Sequence, residues 1–189
     1  MTSASPAADQ CRVVLLGMMG SGKTTIGRLL SRRTGWPLAD NDELLQGLYG
    51  MTPRELHAML GVDGLRQAED EALVAGLGLT APCIVDVAGG TILSGSSRRL
   101  LRESLVVWLR ASPATLVRRS GTAAHRPWLD RGEEWFREAV AHRYPLYESV
   151  ADLIVDTDVG APRLATEQIS AWLAGVVPCA ASLPADDRG

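Results

Sequence analysis

Gly17-Met18-Met19-Gly20-Ser21-Gly22-Lys23-Thr24 fits the pattern G-x-x-x-x-G-K-[ST] at every fixed position. That spacing does phosphate chemistry. Glycines let the backbone wrap a phosphate, while exposed N–H groups and a helix N-terminus supply positive potential. Lys23 would neutralise the β- and γ-phosphates, and Thr24 would set its hydroxyl on Mg²⁺. Gly20, Ser21, Gly22, Lys23, Thr24 and Thr25 are therefore the candidate nucleotide contacts, with ATP and Mg²⁺ as cofactors. The competing reading is a glycine-rich turn without a ligand. A strand-like run before the motif and a helix-like run after it argue against that.

A P-loop does not name a reaction. Three features favour a kinase. The chain is short, at 189 residues. It has no NKxD tetrapeptide of the guanine-reading switches. The segment at about 120–132, SGTAAHRPWLDRG, carries Arg126 where a lid could close over phosphates and exclude water.

A hydroxyl acceptor needs a carboxylate beside the γ-phosphate. Asp40 and Asp42, in PLADNDELL, are the candidates. In an extended segment residues two apart face one side, and at the carboxyl end of a strand that side is the ligand crevice. Asp40 with Glu43 also reads as a helix cap with its N3 partner. Arg66 and Glu69 are three apart on a helix, a spacing that braces a guanidinium. Gly89-Gly90 follows a strand and permits close backbone approach to a ligand. Arg143 precedes Pro145, which is expected to end its helix. Each arginine alone reads as a solvated charge. Two of them with an aspartate in one crevice suit a substrate bearing a carboxylate and hydroxyls. Asp86, in IVDV, reads either as an acid of the Walker B kind or as a hydrogen-bonded structural Asp.

The elements that must position these groups alternate. Strands are expected at 12–16, at PLAD, at 83–88, 105–109 and 152–156. Helices are expected after the P-loop to Gly35, from Pro53 to Gly61, over 63–77, from Ser112-Pro113 to Arg119, from Glu133 to about His142, and near 162–175. The fold class is α/β: a three-layer sandwich of the P-loop kinase type, a five-stranded parallel sheet with helices on both faces, plus a lid loop. We read one domain over 11–176, with substrate-binding helices at about 42–78, and flexible tails at 1–10 and 177–189.

Composition bounds the rest. Lys+Arg total 19 against Asp+Glu 22, a net charge of −3, which argues against a nucleic-acid partner. Cys11, Cys83 and Cys179 form no CxxC, so neither a zinc site nor a disulfide framework is expected. No apolar run reaches bilayer length, and MTSASPAADQ is unlike a signal peptide. A cytoplasmic monomer acting on a small molecule is the expectation.

The ordered set GMMGSGKTT, DND, LRQAE, AGG, RPWL and RYPLYESVAD resembles the shikimate kinase family, over nearly all of the chain between its tails. The resemblance implies that Asp42 holds the acceptor hydroxyl and that Asp40 reaches Mg²⁺ through water. It makes Arg66 and Arg143 the carboxylate clamp and Gly89-Gly90 the turn under the substrate. Arg126 becomes the lid arginine and Arg119 the one near adenine. The implied reaction turns ATP and shikimate into ADP and shikimate 3-phosphate, a step of aromatic amino-acid biosynthesis. The chain departs from the family on the acceptor side. Ala88 stands where a third glycine is usual, and His57 and Leu65 stand where aromatic walls are usual. Two alternatives follow: a kinase of another carboxylated polyol, gluconate-like, or a non-catalytic nucleotide-binding regulator.

Overall fold

The apolar runs form one parallel sheet of five strands: β1 (Arg12–Leu16), β2 (Leu38–Ala39), β3 (Cys83–Asp86), β4 (Leu105–Arg110) and β5 (Leu153–Asp156). Their order is β2-β3-β1-β4-β5. The computed structural model describes residues 11–120 and 132–177. The tails at 1–10 and 177–189, apart from Val177, lie outside the described residues. So does the lid loop between Ser120 and Gly132, with Arg126.

Strands buried on both faces read as unbroken apolar runs, and β1 is the centre of that pattern. Its alternate residues serve two cores. Val13 and Leu15 pack with Ile26 and Leu30 of α1 (Lys23–Thr34) and with Ile169 and Leu173 of α7 (Pro162–Val176). Val14 and Leu16 pack on the opposite face with Trp108, Leu116, Phe136 and Tyr147. Leu116 comes from α5 (Pro113–Ser120), and Phe136 and Tyr147 from α6 (Gly132–Glu148). A third cluster, Leu45, Leu56, Leu65, Ala68 and Ala72, joins α2 (Asn41–Tyr49) to α3 (Pro53–Leu77).

The caps follow the local sequence. Thr52 and Glu55 form the expected reciprocal box, with Thr52 Oγ1 accepting from the Glu55 N–H and Glu55 Oε2 accepting from the Thr52 N–H at 2.8 Å. Gly35 closes α1 in the left-handed conformation, as expected.

As expected, Gly61 breaks the helical backbone (φ 70°, ψ −168°), so α3 is two helices that meet at a kink there. Two expectations need correction. Pro145 does not end its helix; α6 runs on to Glu148. Contacts outweigh the local penalty there, because Tyr144 donates to the Ala111 carbonyl and Tyr147 is fully buried. β2 and β3 are shorter than the runs suggested, and Asp40 lies just past β2. A short helix, α4 (Gly95–Leu101), carried no sequence signal that we read.

Cys11 and Cys83 are buried free thiols. Burial pushes Cys11 up to about 11, which leaves it an inert thiol at neutral pH.

Candidate functional site

The phosphate loop joins β1 to α1 at the carboxyl edge of the sheet. Gly20 and Gly22 hold φ of 83° and 97°, which L side chains rarely adopt. A Cβ on Gly20 would also meet Ser120 Oγ at 2.7 Å. Lys23 is 8% exposed and its Nζ donates to the carbonyls of Gly17 (3.2 Å) and Met18 (3.4 Å). Ser21 Oγ and Ser120 Oγ are buried beside the loop without a hydrogen-bond partner among the described residues. Such orphan hydroxyls suit a loop built to take an oxygen-rich ligand.

Asp40 caps α2 by accepting the Asp42 N–H at 2.9 Å. The cap thus acts on the second helical residue, and Glu43 does not close the expected box. Asp42 sits in the first turn of α2 rather than on an extended segment. The two acids nevertheless share one wall. Asp40, Asp42, Lys23, Thr24, Thr25 and Arg119 line one cavity of about 570 Å³. Thr24 Oγ1 donates to Asp86 Oδ2 at 2.8 Å, so the structure gives Asp86 a partner that the sequence left open. Thr24, Asp40 and Asp86 offer only hard oxygen donors, which fits Mg²⁺.

A second group lies beyond Met18. Arg66 donates to Glu69 Oε2 at 2.8 Å, the expected brace. Gly90 lies directly beneath that guanidinium, since a Cβ there would fall 1.1 Å from an Arg66 nitrogen. A Cβ on Gly89 would fall 2.7 Å from the Gly17 carbonyl, so the glycine turn abuts the phosphate loop. Arg143 is 8% exposed and packs on the Trp135 ring at 5.6 Å. Burial pulls its pKa down, and the like charge of Arg66 adds to that, while Tyr147 and Glu69 oppose it. Arg66, Arg143, Gly89, Gly90, Leu65 and Trp135 line a cavity of only about 30 Å³. Two guanidiniums on one small cavity can grip a carboxylate.

Three contributors were missed in the sequence. Trp135 lines the arginine cavity two turns before Arg143, which supplies an aromatic wall where Leu65 does not. His57 is not among the residues lining that cavity. Tyr147 donates to the Gly89 carbonyl at 2.7 Å and fixes the turn, and burial pushes its phenol well up, so it stays a donor. The loop from β5 to α7 lines a further cavity of about 410 Å³ with Ser21, Gly22, Thr25 and Arg119. Arg119 is tied to that loop through the Thr157 carbonyl at 2.6 Å. The turn-rich run DTDVGAP after a strand was the signal for it, because ligands gather at that edge of such sheets.

A protein-family model described as "Shikimate kinase" matches residues 19–174. A shikimate kinase of Moorella thermoacetica is 37% identical over 166 residues, covering 85% of this chain and 95% of that protein. The structure of a shikimate kinase from Acinetobacter baumannii in complex with shikimate superposes with a TM-score of 0.81 at 29% identity, covering 87% of this chain and 94% of that one. A gluconokinase from Sinorhizobium meliloti, 19% identical with a TM-score of 0.59 over 90% of this chain and 95% of its own, shares the fold alone.

Proposed function

The chain belongs to the shikimate kinase family, and from that membership we propose that it transfers the γ-phosphoryl group of ATP to the 3-hydroxyl of shikimate, releasing ADP. One observation carries the reading. The glycine turn under the two arginines touches the phosphate loop itself, so a carboxylate held there keeps its ring next to Lys23 and Asp42.

Bound Mg-ATP supplies the electrophilic phosphorus and neutralises part of its charge. The chain's own residues do the rest. Gly20, Ser21, Gly22, Thr24 and Thr25 cradle the phosphates, and Lys23 turns from its loop carbonyls to the transferring group. Arg126, which lies outside the described residues, is the second cation proposed for that group, and Arg119 is proposed to border the base end. Thr24 and Asp40 hold the cation. Arg66 and Arg143 bind the acceptor carboxylate over Gly89 and Gly90, and Asp42 accepts the hydroxyl proton. Catalysis is then mostly positioning and charge stabilisation.

Every described residue of the set comes from a single chain, which supports action as a monomer. Dependence on ATP fits a cytoplasmic setting. Among the described residues no helix is long and apolar enough to cross a membrane.

ADP release measured with shikimate, quinate, gluconate and other cyclitols tests the acceptor. Turnover is expected with shikimate. Silence on shikimate with turnover on another acceptor would replace it. Arg143→Ala is expected to raise the KM for shikimate by roughly 10- to 100-fold, the worth of one charged hydrogen-bonding group. An unchanged KM would remove Arg143 from the clamp.

A further inference from the structure

Three helical hydroxyls of this protein return their proton to the carbonyl four residues back: Thr34 to Leu30 at 2.9 Å, Thr166 to Pro162 at 2.9 Å and Ser170 to Thr166 at 2.8 Å. Ser120, the last residue of α5, does not. It is 2% exposed, and its Oγ has no hydrogen-bond partner among the described residues. The Leu116 carbonyl, four back, borders the same space. A Cβ built on Gly20 would lie 2.8 Å from that oxygen and 2.7 Å from Ser120 Oγ. The hydroxyl therefore stands over the phosphate loop with its proton unused. A buried hydroxyl without a partner costs free energy that alanine would avoid. Ser120 also lines the cavity of about 570 Å³, together with Gly20, Gly22, Lys23 and Thr24.

We propose that Ser120 is a nucleotide-binding residue: its hydroxyl donates to a phosphate oxygen of the bound nucleotide beside Gly20, and that oxygen is the partner it lacks in the free protein. A phosphate oxygen accepts and has no proton to offer, so it complements a hydroxyl whose proton is unspent. A bond to a charged oxygen is also of the stronger kind. Lys23 and Thr24 reach the phosphates from the start of α1, whereas Ser120 reaches them from the end of α5, outside the phosphate-loop motif. The inference rests on the ATP reading above but not on the identity of the acceptor. The competing account makes Ser120 a packing residue that seats α5 on Gly20, with an incidental hydroxyl. The two differ in sign. Removing the hydroxyl of a ligand-binding orphan relieves the free protein and weakens the complex, whereas damage to packing weakens the free protein itself.

The test joins thermal melts of the full chain without ligand to calorimetry of Mg²⁺ with the non-hydrolysable β,γ-imido analogue of ATP, in the absence of acceptor. Ser120→Ala keeps the Cβ and removes only the hydroxyl. The free variant is expected to melt at or above the wild-type temperature. Its affinity for the nucleotide is expected to fall about tenfold or more, the worth of one hydrogen bond to a charged group. Ser120→Thr, which keeps a hydroxyl, is expected to retain most of the affinity. An unchanged affinity in Ser120→Ala would overturn the proposal. So would a lower melting temperature of the free Ser120→Ala protein, which would mark a packing role, or a Ser120→Thr variant that loses as much affinity as Ser120→Ala. Wild type that binds no nucleotide would sink the ATP reading itself, an outcome distinct from these.

Discussion

Asp42→Asn is expected to lower kcat by roughly 10²- to 10⁴-fold, the usual worth of a positioned general base, while leaving nucleotide affinity near normal. The substitution keeps the shape and the ability to accept a hydrogen bond, and removes only the ability to take a proton. The surroundings make this a clean change. The Asp42 backbone N–H is held by Asp40 Oδ1, which Asn preserves. Its side-chain oxygen accepts from Asn41 Nδ2 at 3.1 Å, a bond that an amide oxygen also makes. The lost interaction with the N-terminus of α2 costs about 0.3–1 kcal/mol, so the protein should stay folded. Coupled ADP-release kinetics give kcat, and calorimetry gives the affinity for Mg-ATP. Loss of nucleotide binding along with turnover would deny Asp42 the role of base and make it part of the phosphate site.

The parts of this site differ in how they could be read. The phosphate loop is contiguous, and its eight residues carry their own geometry. The Thr52–Glu55 box and the Arg66–Glu69 brace are local too, being fixed by a three-residue helical spacing. The five strands were legible because a sheet covered on both faces demands unbroken apolar runs. What escaped depends on residues far apart in sequence. Pro145 looks like a helix end until Tyr144 reaches Ala111 and Tyr147 reaches Gly89. Those contacts span 33 and 58 residues, so no window around Pro145 contains them. Trp135 is an ordinary helical tryptophan until α6 packs beside Arg66 and Gly90. Asp86 is ambiguous until strand order sets β3 beside β1 and puts its carboxylate under Thr24. The split between Asp40 and Asp42 sharpened in the same way. Their two-residue spacing suggested a shared strand face, whereas the fold makes one the cap and gives the other the first turn.

Gly90→Ala is expected to raise the KM for shikimate by roughly 10- to 100-fold with little change in stability or in the KM for ATP. Backbone strain is not the reason. Gly90 is right-handed, at φ −80° and ψ −23°, which alanine adopts freely. The reason is the space above it. The new methyl carbon would lie 1.1 Å from an Arg66 nitrogen and 2.8 Å from Glu69 Oε2. Both are ends of side chains, so they yield without moving the backbone, and the fold survives. The guanidinium then leaves the position in which Glu69 braces it, and the carboxylate clamp loses one arm. The cavity is also small, at about 30 Å³, so it leaves little room for a displaced guanidinium. Gly89→Ala serves as the contrast. Its methyl would press on the Gly17 carbonyl at 2.7 Å, a backbone atom of the phosphate loop, so nucleotide binding should suffer as well. Steady-state kinetics with each substrate varied in turn, together with thermal melts, separate the two. A Gly90→Ala enzyme with an unchanged shikimate KM would show that Arg66 does not grip the acceptor from the position seen over the glycine turn.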